Sequence, residues 1–216
     1  MDYRAVLFDF DFTLADASQA IVAGFQHGFA QMGHPQPDPD AVRGTIGLPL
    51  EDAYTLLSGD ADQARRKEFR LHFSQVAVPM QIEVTKMFPG AEDLLRGLKA
   101  AGIPAAIVST KRADTLCRVL EKRDLLGLLT AVTGSEMVQN QKPDPEGLCK
   151  TIADLGLTPE QVLYCGDTVI DAEAAQRAGA HFCAVLNGTT PREAFSAFPA
   201  DHIAPDLEEL RLWLGL

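Results

Sequence analysis

The sequence predicts an α/β fold in which a parallel sheet carries an inserted helical domain. Three observations indicate this class. Short apolar runs alternate with helical patterns through residues 85–216, which is typical of βαβ units. One apolar strand, residues 6–8, stands alone near the start of the chain. Between these two parts lie residues 16–84, which show helical periodicity and few strand signals.

The predicted strands are short apolar runs of the kind that form strands buried on both faces. They cover residues 6–8, 104–110, 128–135, 162–167 and 181–187. A further strand begins at His202. The predicted helices between the strands cover residues 91–102, 111–124, 145–156 and 169–179. Gly102 indicates the end of the first of these helices, because glycine readily adopts the left-handed cap conformation.

Residues 16–84 are predicted to form several helices. Ser18 is a suitable N-terminal cap for the first helix, and Gly33 would end it. The apolar residues inside it follow helical spacing: Ile21, Phe25, Phe29 and Met32. Further helices are predicted over residues 38–46, 50–58 and 60–78.

The predicted domains are therefore a core and an insert. The α/β core comprises residues 1–15 and 85–216, and the helical domain comprises residues 16–84. Two placements of the insert stay open. It either covers the carboxyl edge of the sheet as a cap, or packs at the side of the sheet.

Composition excludes several classes of protein. The formal net charge of −11 has the wrong sign for a nucleic-acid surface, so no nucleic-acid partner is expected. No apolar run reaches the roughly 18 residues of a membrane span, and no signal peptide is visible. The four cysteines lack metal-binding spacing and are expected to be reduced. We therefore expect a cytoplasmic protein with no membrane partner.

Two carboxylates follow the first predicted strand, in the segment VLFDFDFTLAD. If the strand continues through them, Asp9 and Asp11 point to the same side, because side chains alternate along a strand. Two like charges at a buried strand end repel each other and lose hydration. Folding alone does not require such a pair, so the sequence predicts a cation between them.

Other residues whose side chains can bind ligands or take part in catalysis follow the other predicted strands. Ser109 and Thr110 follow one strand, Lys142 lies in the loop NQKPDP, and the motif GDTVID places Asp167 and Asp171 after another strand. If the strands are parallel, their carboxyl ends meet at the edge that carries Asp9 and Asp11, where ligands bind in such sheets. The predicted site therefore gathers acids, hydroxyl groups and one ammonium group.

This set of residues suits phosphoryl transfer. Carboxylate oxygens are hard ligands that Mg²⁺ accepts together with phosphate oxygens and water. A lysine and a hydroxyl group can hold phosphoryl oxygens. An aspartate is ionised at neutral pH and can act as a nucleophile toward phosphorus. The sequence thus predicts Mg²⁺ as the cofactor.

The same residues resemble the haloacid dehalogenase (HAD) superfamily of hydrolases. Its four motifs occur here in the correct order and span nearly the whole chain. They are DFDFT from Asp9, Ser109 at the end of a strand, Lys142 in QKPDP, and GDTVID with Asp167 and Asp171. The resemblance implies a Rossmann-like parallel sheet with an α-helical cap, similar to the phosphoglycolate phosphatase-like branch.

The resemblance also implies roles for these residues. Asp9 would be the nucleophile and a Mg²⁺ ligand. Asp11 would act as general acid and base, with its backbone carbonyl on the metal. The phosphoryl oxygens would be held by Lys142 and by Ser109 with Thr110. Asp167 would bind Mg²⁺ directly, and Asp171 would support the metal through water or a neighbouring group.

Three features bear on the choice within the family. Relatives usually carry glycine where this chain has Phe12, which puts the geometry of that loop in question. Dehalogenases lack the second acid, which here is Asp11. Sugar-phosphate mutases carry a histidine and an arginine at positions that here correspond to Ile21 and Leu50.

The expected function is therefore a Mg²⁺-dependent phosphatase that acts on a small phosphorylated metabolite through an aspartyl phosphate. Two alternatives remain, a mutase of the β-phosphoglucomutase type and a catalytically idle binding protein with this fold. The sequence identifies neither the substrate nor the oligomeric state.

Overall fold

The computed structural model describes residues 3–216 and contains a six-stranded parallel sheet. The strands of this sheet are β1 Ala5–Phe8, β4 Ala105–Val108, β5 Ala131–Thr133, β6 Val162–Gly166, β7 His181–Val185 and β8 His202–Ala204. Their order in the sheet is β5-β4-β1-β6-β7-β8, and all neighbouring strands are parallel. Strand β1 lies near the centre, between β4 and β6, so the residues that follow these three strands lie side by side.

Helices cover both faces of the sheet. Those of the core are α5 Ala91–Ala100, α6 Ala113–Glu121, α7 Glu146–Asp154, α8 Val169–Ala178 and α9 Leu207–Trp213. In β1, Val6 and Phe8 pack with residues of α5, α6 and α9, whereas Ala5 and Leu7 pack with residues of α7 and α8. Because both faces are covered, β1 is apolar at every position, as buried parallel strands are.

Along the chain, four helices follow β1 before β4 begins. They are α1 Ser18–Gln31, α2 Pro39–Arg43, α3 Leu50–Ser58 and α4 Gln63–Val84. They have an aromatic core of their own, in which the rings of Tyr54 and Phe69 stack at 4.5 Å between centroids. Helices α1 and α4 approach closely at Gly24 and Gly28, where an added Cβ would lie 2.6 Å and 2.5 Å from side chains of α4.

The two ends of the helical segment are joined by a short antiparallel pair. Strand β2, Ala15–Asp16, pairs with β3, Lys86–Met87. The chain therefore leaves the sheet region and returns to it at one place, close to the predicted boundaries of residues 16–84. None of the helices described within residues 3–216 combines the length and the apolar composition needed to cross a bilayer.

The predicted α/β fold class is confirmed, and the differences concern the ends of elements and a few short elements that were not predicted. The strand predicted over residues 104–110 ends at Val108, because the chain turns where Ser109 and Thr110 enter the site. Helix α4 continues to Val84 through Pro79, whereas the prediction ended it at residue 78. The pair β2–β3 was not predicted, because two-residue strands carry no periodic signal. Helix α9, of seven residues, was also not predicted.

The close contact between α1 and α4 predicts a loss of stability in Gly28→Ala. Alanine favours a helix by about 1 kcal/mol over glycine, but its Cβ would lie 2.5 Å from the ring of Phe69. We expect a net destabilisation of about 1–3 kcal/mol in urea unfolding. The control Gly127→Ala meets no atom within 4 Å and should stay within about 0.5 kcal/mol of the native chain. Equal stability of both variants would contradict the packing described here.

Candidate active site

The candidate site lies at the carboxyl ends of the central strands. Asp9 follows β1, Ser109 follows β4 and Asp167 follows β6. Because β1 pairs with both β4 and β6, these three residues enter the site from adjacent positions. Asp171 reaches it from the first turn of α8. The convergence expected from a parallel sheet is thus present.

Three buried carboxylates form the centre of the site. One carboxylate oxygen from each of Asp9, Asp167 and Asp171 lies within 4.8 Å of the other two. The three residues are only 1–2% exposed. Like charges at this distance and with so little hydration repel strongly, so the cluster requires compensating positive charge.

Lys142 supplies part of that charge. Its Nζ lies 2.9 Å from Asp9 Oδ1 and 2.5 Å from Asp171 Oδ1. It also donates a hydrogen bond of 2.8 Å to the hydroxyl group of Tyr164. That hydroxyl can in turn donate its one proton to the Val108 carbonyl or to Asp171. Tyr164, a strand residue, therefore fixes the position of the buried ammonium group.

Hydroxyl groups and close backbone contacts hold the other two acids in place. Thr13 Oγ1 donates to Asp167 Oδ1 at 3.0 Å. On the other side of that carboxylate lies Gly188, where an added Cβ would be 2.0 Å from Asp167 Oδ2. Thr168 donates to Asp171 Oδ2 through its backbone N–H at 3.0 Å and its hydroxyl at 2.7 Å. Asp171 is thus fully engaged within the protein, whereas Asp167 keeps one oxygen free of these bonds.

Asp11 takes a different position from the one that strand alternation predicts. Strand β1 ends at Phe8, and the chain turns through Asp11, which forms an isolated bridge with Ala15. The Asp11 carboxylate is not part of the cluster of three acids. It pairs instead with Lys111, whose Nζ lies 2.6 Å from Asp11 Oδ1 in a pair that is about one-tenth exposed.

The hydroxyl candidates lie on the segment that follows β4. Ser109 is buried, and its Oγ accepts a hydrogen bond of 3.3 Å from the backbone N–H of Lys111. The Thr110 hydroxyl donates to the carbonyl of Gly47, at 3.3 Å, and so connects this segment to the helical region. The predicted contact of these two residues with phosphoryl oxygens stays a prediction.

Burial changes the acid–base properties of the cluster. Loss of hydration raises the pKa of Asp9 to about 6; the charge of Asp171 adds to this effect and the charge of Lys142 opposes it. Burial, followed by the charges of Asp171 and Asp9, raises the pKa of Asp167 well above its usual range. Burial lowers the pKa of Lys142, but the charges of Asp171 and Asp9 outweigh burial and raise it, so this lysine stays protonated.

The residues present fit a divalent cation. Three buried carboxylates face one lysine within the cluster, so negative charge is in excess. Asp9 Oδ1 is enclosed and accepts no well-directed hydrogen bond, although it lies near Lys142. Two oxygens on one Mg²⁺ ion, each at roughly 2.1 Å, lie at most about 4.2 Å apart. The observed spacing of up to 4.8 Å is close to that limit, so small side-chain movements suffice.

The loop after Asp11 places a bulky residue in an unfavourable backbone conformation. Phe12 has φ +60°, a region that glycine adopts without strain and phenylalanine does not. Its ring is buried, and its N–H donates to the Ala15 carbonyl at 2.8 Å. Burial of the ring and this hydrogen bond therefore hold the loop in its left-handed conformation.

A cavity of about 100 Å³ separates the site from the helical region. Asp11, Thr110 and Lys111 form part of its floor, and residues of α1, α3 and α4 form its other walls. A wider cleft of about 550 Å³ opens beside it, lined by polar residues that include Lys142. A ligand between the helical region and the sheet can therefore reach Asp11 from the cavity and Lys142 from the cleft.

Sequence reasoning identified the acids and Lys142, but missed several groups that position them. Thr13 lies inside the first motif, and this was the available signal for its contact with Asp167. Lys111, Tyr164 and Gly188 carry no motif of their own. No local pattern distinguishes them, because their partners Asp11, Lys142 and Asp167 are distant in the chain.

Comparison with known proteins identifies the class to which this fold and site belong. The sequence model for haloacid dehalogenase-like hydrolases matches residues 6–185. The chain therefore belongs to this family, and the expectation of a HAD-type hydrolase is confirmed.

Individual relatives cover nearly the whole chain. The phosphoglycolate phosphatase of Escherichia coli (strain K12) is 28% identical over 240 residues, which cover 100% of this chain and 94% of that protein. A Clostridium perfringens protein named as a pyrophosphatase is 27% identical over 190 residues, with coverage of 88% and 87%. A solved structure from Bacteroides fragilis, named as a haloacid dehalogenase-like hydrolase, has a TM-score of 0.93 and 36% identity, with coverage of 96% and 99%.

The charge excess in the cluster predicts opposite effects for two similar substitutions in metal-free protein. The raised pKa of Asp9, from 3.8 to about 6, means that its ionisation destabilises the fold as the pH rises through that range. At pH 7.5 in chelator, Asp9→Asn should stabilise the protein, by up to about 3 kcal/mol. The gain should shrink as the pH falls below 6 and disappear below about pH 3, where Asp9 is protonated in both the folded and the unfolded state.

Asp11→Asn serves as the matched control. It leaves the ammonium group of Lys111 buried without its carboxylate, which should destabilise the protein by about 3 kcal/mol. Thermal unfolding with chelator measures both variants. If Asp9→Asn lowered the melting temperature as much as Asp11→Asn, excess negative charge in the cluster would not be the cause of its instability.

Proposed function

We propose that this protein is a Mg²⁺-dependent phosphatase that hydrolyses small phosphomonoesters through a phosphorylated Asp9. The observation that carries this proposal is the cluster of three buried carboxylates around Lys142, in which the single ammonium group leaves negative charge in excess. The relatives named as a phosphoglycolate phosphatase and a pyrophosphatase support hydrolysis of phosphate compounds as the reaction class.

The chain's own oxygens would hold the metal. Asp9 and Asp167 would provide carboxylate ligands, and Asp11 would provide its backbone carbonyl. Asp171, which is already bonded to Lys142 and Thr168, would support the site through water or through these neighbours. When bound, Mg²⁺ would neutralise charge on the acids and on the phosphoryl group, so that an anion can approach another anion.

In the first half of the reaction, a carboxylate oxygen of Asp9 attacks phosphorus. A bond forms between that oxygen and phosphorus, and the bond between phosphorus and the ester oxygen breaks. Asp11, in its protonated form, gives its proton to the departing oxygen, which leaves as an alcohol. Asp11 suits this task because it faces the cavity, where the leaving group would lie.

In the second half, water hydrolyses the phosphorylated Asp9. The Asp11 carboxylate takes a proton from the water molecule, whose oxygen forms a bond to phosphorus. The bond between phosphorus and Asp9 breaks, which releases phosphate and restores the carboxylate. Lys111, paired with Asp11 at 2.6 Å, would hold the carboxylate of this acid and base in place.

The remaining site residues would bind the transferred group. The ammonium group of Lys142 stays charged and lies at Asp9, so it would neutralise a phosphoryl oxygen. Ser109 and Thr110 would donate hydrogen bonds to the others. Thr110 would first have to release the Gly47 carbonyl if its hydroxyl takes part.

The helical region of residues 16–84 would act as a cap domain over a core of residues 1–15 and 85–216. Two facts support this division: its separate aromatic core and the β2–β3 pair that joins its two ends. Residues 1 and 2 lie outside the described part of the chain. The cap faces the cavity above Asp11, so it would select the leaving group and exclude water.

Hydrolysis is favoured over the alternatives by the cavity wall and the intact acid set. Ile21 and Leu50, which stand where mutases would carry a histidine and an arginine, both line the cavity. Neither can hydrogen-bond or exchange a proton with a sugar phosphate. A merely binding protein has no need for three carboxylates buried around one lysine, since such a cluster costs stability.

The proposal predicts that phosphate release from p-nitrophenyl phosphate requires both Mg²⁺ and Asp9. The Asp9→Asn variant should lose at least about a thousandfold in kcat, because removal of a nucleophile removes its reaction path. Excess chelator should also abolish the activity, and added Mg²⁺ should restore it. Release of phosphate, followed over time, measures all three effects.

The exposed carboxylate of Asp93 on α5 offers a matched control. Asp93→Asn makes the same chemical change far from the site and should leave kcat unchanged. The mechanism would be refuted if neither chelator nor the Asp9→Asn substitution lowered the rate of phosphate release. Interconversion of sugar phosphates without net phosphate release would instead support the mutase.

A further inference from the structure

Lys111 lies in the wall of the cavity and uses only one of its N–H groups within the protein. Its Nζ donates a hydrogen bond of 2.6 Å to Asp11 Oδ1 and lies 5.3 Å from the centre of the Phe10 ring, whose face attracts the charge. An ammonium group has three N–H donors. No second oxygen within residues 3–216 accepts a hydrogen bond from this nitrogen. Two donors of Lys111 are therefore available to a ligand.

The other lysine of the site differs in this respect. Lys142 Nζ has three close partners, Asp9, Asp171 and Tyr164, at 2.9, 2.5 and 2.8 Å. Both lysine side chains are largely enclosed, with 8% of Lys111 and 5% of Lys142 exposed. Enclosed polar groups are favourable only when their hydrogen bonds are made. An acceptor oxygen on a ligand would therefore give Lys111 a partner that the chain itself does not supply.

The position of Lys111 beside Asp11 indicates which part of a substrate it can contact. Among the described residues, Asp11 and Lys111 line the cavity, whereas Asp9, Lys142 and Asp167 do not. A leaving oxygen that takes a proton from Asp11 has to lie within about 3 Å of that carboxylate. Lys111 Nζ lies within the same distance of it, at 2.6 Å. An oxygen on the carbon next to the ester carbon is therefore well placed to accept a hydrogen bond from Lys111.

Other polar groups in the cavity wall are less suited to this contact. Its two arginines pair with acids, Arg70 with Glu51 and Arg112 with Asp114. Three atoms of the wall have no hydrogen-bond partner within residues 3–216 and are enclosed by protein: Arg70 Nε, Gln81 Oε1 and Gln141 Oε1. A ligand reaches these atoms only if a side chain moves. Arg70, which has an unused N–H group, is the alternative donor, and the second experiment below separates it from Lys111.

We propose that Lys111 binds the leaving group by donating a hydrogen bond to an oxygen on the carbon next to the ester carbon. The substrates are then phosphomonoesters of small alcohols that carry a hydroxyl or a carboxylate oxygen at this position. The inference rests on the proposed phosphatase function and adds a specificity-determining residue to it. This role is separate from holding Asp11, because it changes the choice among substrates and not only the rate.

The first experiment compares two matched pairs of esters. 2-Hydroxyethyl phosphate and propyl phosphate have leaving groups with equal numbers of non-hydrogen atoms, and so do 2-phosphoglycolate and isobutyl phosphate. In at least one pair, we expect kcat/KM of the native chain to be at least about tenfold higher for the ester with the additional oxygen, which is the effect of one hydrogen bond from a charged donor. The pair with the larger ratio shows whether a hydroxyl or a carboxylate is preferred. A smaller ratio in both pairs would overturn the inference.

The second experiment removes the donor. Lys111→Met should lower the preferred ratio at least about fivefold, because specificity follows the difference in transition-state binding. If Lys111 only holds Asp11, all four esters lose activity alike and the ratio stays constant, which would contradict the inference. Lys86→Met makes the same change at an exposed position of β3 and should leave the ratio unchanged. Loss of the preference in Arg70→Met but not in Lys111→Met would assign the contact to Arg70 instead.

A second variant and a binding measurement complete the test. If Lys111→Met does not fold, Lys111→Gln gives the same comparison, because its amide can donate to Asp11 but carries no charge. Calorimetric titration of Asp9→Asn with the same pairs reports preference without turnover, and tighter binding of the ester with the additional oxygen is expected. If the native chain releases no phosphate from any ester, the proposed function is wrong. If it releases phosphate equally from both members of each pair, only the present inference is wrong.

Discussion

The structure depends on one electrostatic constraint at the centre of its sheet. Asp9, Asp167 and Asp171 are buried within 4.8 Å of one another, and among residues 3–216 only Lys142 forms ion pairs within this cluster. An arrangement of this kind destabilises a fold unless something binds there. The surrounding groups accordingly do not neutralise the acids; they hold them in position. The cluster therefore lowers the stability of the fold, and under the proposed function it is the place where a cation and a phosphoryl group would bind.

Sheet topology makes this cluster possible. Parallel strands direct their carboxyl ends to one edge, and the order β4-β1-β6 sets residues from distant parts of the chain next to each other. The rigid packing of both sheet faces then fixes the backbone from which these side chains extend. The helical region enters after β1 and returns at β3, so it stands over the same edge without interrupting the sheet. The loops that follow the strands thus carry the chemically active side chains, and the inserted helices shape the cavity.

One error and one open question of the sequence interpretation have a physical explanation in the structure. Asp9 and Asp11 were expected on one side of a continuing strand, but β1 ends at Phe8, and Asp11 pairs with Lys111. The alternation rule fails where hydrogen bonding to neighbouring strands stops. Phe12 put the geometry of its loop in question. In the structure Phe12 has φ +60°, and burial of its ring stabilises this conformation. Neither outcome follows from local pattern, since each depends on groups that lie elsewhere in the fold.

The sequence by itself determined the α/β class, the central acids and Lys142, because apolar periodicity and short motifs are local properties of the chain. It also determined that helices interrupt the sheet after its first strand. Only the tertiary structure decided that Lys111 pairs with Asp11, that Tyr164 holds Lys142, and that Gln81 faces the cavity without a partner. Such contacts join residues that are distant in sequence, and their existence depends on how helices and strands pack, which no local pattern records.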